Sequence, residues 1–159
     1  MNKKKLIAYI TGQITEELAA ITQAAKNTYD IATHEDNKAE NKYDTRGLEA
    51  SYLAGAQAKR VAQMKDVLVL FENLPIKDFT EKNKISTTAL VQVGLQDKFS
   101  FVLIMPNGGG QRVTFEGNSV QVITPDSPLG RALLGKEVGD SLQIEAGHQL
   151  RQYEILSIC

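Results

Sequence analysis

The chain has 159 residues, 42% of them hydrophobic and 23% charged, which fits one ordinary domain or two small ones and excludes a disordered chain. A net charge of −1 supplies no global field toward nucleic acid or membrane, so any such contact has to be local. The single cysteine, Cys159, cannot close an internal disulfide. It has no Cys/His cluster around it to suggest zinc, and a reducing, cytoplasmic setting is expected.

The start, with Lys3, Lys4 and Lys5, resembles the basic region of a signal peptide. Gln13, Glu16 and Glu17 then break the apolar stretch, so neither a signal peptide nor a membrane span is expected. From residue 4 to residue 34 apolar side chains recur at three and four. Ile7, Ile14, Ile21 and Thr28 form one row seven apart, and Ile10, Ala24 and Ile31 form a companion row, interrupted by Glu17 with Leu18 beside it. This is the seam of a coiled-coil helix. His34-Glu35-Asp36-Asn37-Lys38 is polar and turn-prone. A second helix is expected from about Glu40 to Asn73, with Ala54, Val61 and Leu68 on one row and Ala50, Met64 and Phe71 on its neighbour. Pro75 disfavours helix in the residue before it and so sets the end. Two helices, each about 45 Å long at 1.5 Å per residue and joined by a few residues, have to run antiparallel.

Beyond Pro75 the period shortens. Residues 87–93, 99–105, 112–115, 120–124, 142–145 and 152–158 are β-branched or aromatic-rich runs, most of them separated by Gly, Asn, Asp or Pro. They predict an antiparallel sheet or partial barrel. One short helix interrupts it: Ser127 as N-cap, Pro128 at the first helical position, residues 129–134, and Gly135 as terminator. The expected class is α+β: a long antiparallel α-helical hairpin over residues 1–75, a linker over 76–85, and a β domain with one short helix over 86–159.

Most isolated features have plain readings. Asn107-Gly108-Gly109-Gly110 lacks the Lys-Ser/Thr and the helix of a phosphate loop, and reads as a hairpin turn. His34 and His148 read as surface residues, and nothing around Cys159 activates it. Lys42, Arg46, Lys59 and Arg60 form either a local basic face or an ordinary charged helix surface. Tyr52 is expected to pack against the first helix.

The segment Ser127-Pro128-Leu129-Gly130-Arg131-Ala132-Leu133-Leu134-Gly135-Lys136-Glu137-Val138-Gly139-Asp140 resembles the C-terminal signature of the GreA/GreB transcript-cleavage factors, and Gln152-Tyr153-Glu154-Ile155-Leu156 is similar to the family's closing strand. Glu40-Asn41, with Tyr43 after it, is similar to the family's hairpin tip. The resemblance implies an FKBP-like β domain that docks on RNA polymerase and a hairpin that enters the secondary channel. There, tip carboxylates help to hold a Mg²⁺ ion shared with the polymerase, which then hydrolyses its own backtracked RNA. It implies Asp36 and Glu40 as metal contacts, with Glu35 and Asp44 as substitutes. Contacts to polymerase or to the nascent RNA 3′ end fall to Asn41, Tyr43, Arg46, Leu129 and Arg131. No membrane and no small-molecule substrate are expected.

The tip departs from the family pattern. Asp36 precedes Glu40 by four residues where the family has three, and Lys42 replaces an acidic residue. The alternative reading is therefore a secondary-channel regulator without cleavage activity. A peptidyl-prolyl isomerase is disfavoured, because the β half has no Trp and few aromatics. A coiled-coil adaptor with another partner is the remaining rival.

Overall fold

The computed structural model describes residues 1–34, 46–96, 98–146 and 149–159. Its elements run α1 (Lys3–Thr33), α2 (Arg46–Asn73), β1 (Leu90–Leu95), β2 (Lys98–Ile104), β3 (Arg112–Phe115), β4 (Asn118–Ile123), α3 (Pro128–Leu133), β5 (Ser141–Ala146) and β6 (Gln149–Ile158). Two compact units result: Ala8–Asn73, and Met1–Ile7 together with Leu74–Cys159. The α+β class read from the sequence is the one observed.

The first unit is an antiparallel pair, α1 and α2. On α2 the seam residues Ala50, Ala54, Gln57, Val61, Met64, Leu68 and Phe71, at gaps alternating four and three, are covered, as are Val67 and Leu70 toward its end. The expected rows are all there, with Gln57 completing them. On α1 the covered series is Thr11, Ile14, Leu18, Ile21, Ala25 and Thr28. The second seam row is therefore the one holding Leu18, and the expected companion row 10/17/24/31 flanks it. Either row alternates gaps of three and four with Ile7, Ile14, Ile21 and Thr28, so spacing alone does not choose between them, and burial does. Ile10 is buried, but Glu17, Ala24 and Ile31 lie on the surface. From this flank Glu17 Oε1 meets Arg60 Nη2 at 3.4 Å across the pair, so Arg60 belongs to the helix surface. At that exposure the pair is worth well under about 1 kcal/mol.

The second unit is built on a six-stranded sheet of order β3-β4-β2-β1-β6-β5. Every neighbouring pair is antiparallel except β2–β4, which is parallel. The chain leaves β2, places β3 at the edge and returns with β4 between them, so β4 must run with β2. This also corrects the reading of residues 107–110. The strands they connect are not neighbours, so the segment is a crossover and not a hairpin turn. Gly110 N–H donates to the Val122 carbonyl at 2.9 Å, with Gly108 and Gly110 at φ 78° and 100°. One face of the sheet carries a core cluster of Val91 and Val93, Val102 and Ile104, Leu142, Ile155 and Ile158, joined by Ile85, Ala89, Ile123 and Leu133, and on the other face Leu90, Leu103, Val120 and Val122 are buried as well. β1 begins at Leu90, later than the expected residue 87, because Thr88 sits at φ 74° and cannot extend the strand.

Residues from α1's first turn and from 76–85 belong to this unit. Lys3 is buried; its Nζ donates to the Lys77 carbonyl and stands 4.8 Å from the centre of the Phe79 ring. Lys77 N–H donates to Thr88 Oγ1 at 3.2 Å. Burial holds the Lys3 ammonium below its usual range, partly offset by the charges of Cys159 and Asp78.

Candidate functional site

The signature segment folds as a clamp. Ser127 is the N-cap, with extended backbone at φ −67° and ψ 153°. Its Oγ accepts from Gly130 N–H at 3.0 Å and donates to the Thr124 carbonyl at 2.7 Å. Pro128 follows, where a missing N–H costs nothing. Gly130 is obligatory for a steric reason: a Cβ there would stand 2.0 Å from the Thr124 carbonyl oxygen. The end is tied as firmly. Gly135, at φ 78°, donates to the Ile85 carbonyl, and Ile85 N–H donates to the Lys136 carbonyl, both at 2.8 Å. Asp140 Oδ2 accepts from Glu137 N–H at 3.0 Å, and Gly139 and Asp140 pair by backbone with Ile155. Ser127, Gly130, Gly135, Gly139 and Asp140 are thus spent on holding α3 to the sheet.

What the clamp leaves outward is the candidate contact surface. The leucines divide: Leu133 is fully buried, Leu129 is half-buried against the core, and Leu134 is exposed. Arg131, Lys136 and Glu137 are exposed around them. Of the two contact residues expected here, Arg131 presents its side chain to solvent, while Leu129 gives much of its surface to the core.

Sequence reading missed a second feature on this unit. Phe99 is exposed and meets Phe101 edge-on, with ring centroids 6.2 Å apart. It borders an open cleft of about 510 Å³ that Gly94, Lys98, Tyr153, Glu154 and Leu156 also line. The signal was present in the alternation of β2, where residues 99 and 101 share a face.

The hairpin-tip candidates Glu35, Asp36, Glu40, Asn41, Tyr43 and Asp44 lie outside the described residues, as does Lys42. Arg46 opens α2. His34 is exposed at the end of α1. Among the described residues no group of three His, Cys, Asp or Glu side chains is placed to hold a metal ion, and no helix is long and apolar enough to cross a membrane. Tyr52 does not pack on α1. It is 72% exposed, because it falls between the seam residues Ala50 and Ala54 on the opposite side of α2.

Comparison with known proteins places these features. Residues 112–159 match the family model described as "Transcription elongation factor, GreA/GreB, C-term". The transcription elongation factor GreA of Mesorhizobium japonicum is 28% identical over 116 residues, 69% of each chain. That of Nautilia profundicola is 25% identical over 100% of this chain and 96% of its own. Among solved structures, Gfh1 of Thermus aquaticus aligns with 92% of each chain at 18% identity and a TM-score of 0.41.

Proposed function

We infer, from a chain whose residues 112–159 match the model of the GreA/GreB C-terminal domain, that the protein is a transcription elongation factor acting on RNA polymerase through the secondary channel. The observation that carries this reading is the order of parts. A helical hairpin precedes a signature-bearing β unit, and likeness to a GreA runs over the whole chain. In this reading the β unit docks on the polymerase, with Arg131 and Leu129 at the contact, and the hairpin carries its tip to the active centre.

Asp36 and Glu40, with Glu35 or Asp44 as substitutes, supply carboxylate oxygens, the donor type that Mg²⁺ takes. Asp36 and Glu40 would help to hold a Mg²⁺ ion shared with the polymerase, and that ion would supply activation of water and stabilisation of the leaving oxygen for phosphodiester hydrolysis. Asn41, Tyr43 and Arg46 orient the tip or touch the RNA 3′ end. The chain itself is then not a self-sufficient enzyme, because the RNA and the reaction centre are the polymerase's.

The test is release of RNA fragments from a backtracked elongation complex. Full-length protein stimulates release, and the Asp36→Ala, Glu40→Ala double variant does not. Full stimulation by that variant removes the assignment. The second reading, a channel regulator without cleavage activity, is favoured by the four-residue Asp36–Glu40 spacing and by Lys42. It is recognised by polymerase binding with no fragments released by the unmodified protein.

A further inference from the structure

The six-stranded sheet ends in two edge strands. β3 closes one side with four residues, beginning at Arg112. β5 closes the other with Ser141-Leu142-Gln143-Ile144-Glu145-Ala146. An edge strand carries a row of backbone groups that its own sheet leaves unpaired, and folds blunt it with short length, Lys, Pro or bulges. β5 holds neither Lys nor Pro, and it runs along β6 in a single register from Ser141–Glu154 to Ala146–Gln149. Its side chains alternate. Leu142 is buried in the core cluster and Ile144 is half-buried against it, while Ser141, Gln143 and Glu145 are exposed on the other face. Beside its first residues is an open cleft of about 440 Å³ that Lys136, Ser141 and Leu142 help to line.

We propose that β5 is a self-association edge, to which the β5 of a second copy of this chain adds antiparallel about a two-fold axis at Gln143. The pattern of the strand selects that occupant. A two-fold contact has to be self-complementary, and an antiparallel pairing has to set core-face residues against core-face residues. Centred on Gln143, the pairing does both. Leu142 meets the partner's Ile144 on each side of the axis, so the two cores run into one another. Gln143 meets the partner's Gln143, and each amide both donates and accepts. Ser141 meets the partner's Glu145, and no like charges stand opposite. The partner's Glu145 also arrives beside the cleft that Ser141 shares with Lys136, an opposite charge on each side of the axis. Centred on Ile144 instead, the strands set Glu145 against Gln143 and leave Ser141 unpaired. The pairing spans Ser141–Glu145 of each copy, far short of the about 20–30 residues a side of a stable interface. The dimer is therefore reversible and concentration-dependent. It does not depend on the function proposed above.

The experiment uses the full chain. In sedimentation equilibrium its average mass rises from monomer toward dimer between about 10 µM and 1 mM. Gln143 is exposed, so a charge placed there leaves the circular dichroism spectrum unchanged. Gln143→Lys alone and Gln143→Glu alone stay monomeric over this range, because each sets like charges opposite, and an equimolar mixture of the two recovers the dimer. In a Cys159→Ser background, Gln143→Cys forms a disulfide-linked dimer under air oxidation with copper–phenanthroline. Directly opposite residues stand about 4.5–5.5 Å apart, within the disulfide range of about 4.4–6.8 Å. Glu145→Cys does not cross-link, since the partner's Glu145 lies opposite Ser141. Any of three results overturns the proposal: a wild-type chain that is monomeric throughout, a single-charge variant that still dimerises, or Gln143→Cys that cross-links no more than Glu145→Cys.

Discussion

Replacing Gly130 by Ala tests whether the signature is a structural clamp. The added Cβ stands 2.0 Å from the Thr124 carbonyl oxygen and 2.9 Å from Ser127 Oγ. The obstacle is backbone, so it cannot swing away as a side-chain end can. To reach even 3.0 Å, α3 has to retreat by about 1 Å. That movement breaks the cap from Ser127 Oγ to Gly130 N–H, worth about 1 kcal/mol, and withdraws the fully buried Leu133 from the core. Forcing extra volume into a packed site costs about 1–3 kcal/mol more. The expected loss is about 2–4 kcal/mol, which for a domain of this size lowers Tm by roughly 10–25 °C. Calorimetry of the full chain measures it. Gly12→Ala is the control: nothing lies within 4 Å of a Cβ there, and alanine in mid-helix gains about 0.5–1 kcal/mol. A Gly130→Ala variant that melts within about 2 °C of wild type would refute the clamp.

Other consequences follow from the packing. Gln57 occupies a seam position, and its Oε1 is buried with no hydrogen-bond partner among the described residues. Gln57→Leu is therefore expected to stabilise the hairpin by about 1–3 kcal/mol in chemical denaturation, and an unchanged midpoint would show that the amide is solvated. Arg60→Ala removes only the exposed pair with Glu17 and should shift stability by less than about 1 kcal/mol. Burial depresses the Lys3 pKa, so the unfolded chain binds more protons than the folded one between that lowered value and the usual 10.5. Stability then rises as pH is raised through this window. A Lys3→Met variant should lack that rise, and parallel pH–stability curves for the two proteins would contradict the assignment.

The seam of α2 was legible because gaps of four and three leave few alternatives. On α1 the same signal left two candidate rows. Glu17 marred one, and only the observed burial makes it the flank. The termini of α3 were equally plain, since Ser-Pro and a following Gly have narrow backbone uses. The roles within α3 were not. Leu129, Leu133 and Leu134 are alike as letters, and burial against strands far away in sequence separates them.

Local chemistry fixes an element wherever it depends on neighbours along the chain. Helix periods, caps, the stop before Pro75 and the signature glycines all depend on such neighbours, and each was readable from the sequence. Contacts between distant residues are set by how the elements assemble. The insertion of β4 between β2 and β3 makes one strand pair parallel and turns an apparent hairpin loop into a crossover. Gly130 shows both levels in one residue: its place in the motif is visible in the sequence, and the Thr124 carbonyl that demands it appears only once the chain has folded back.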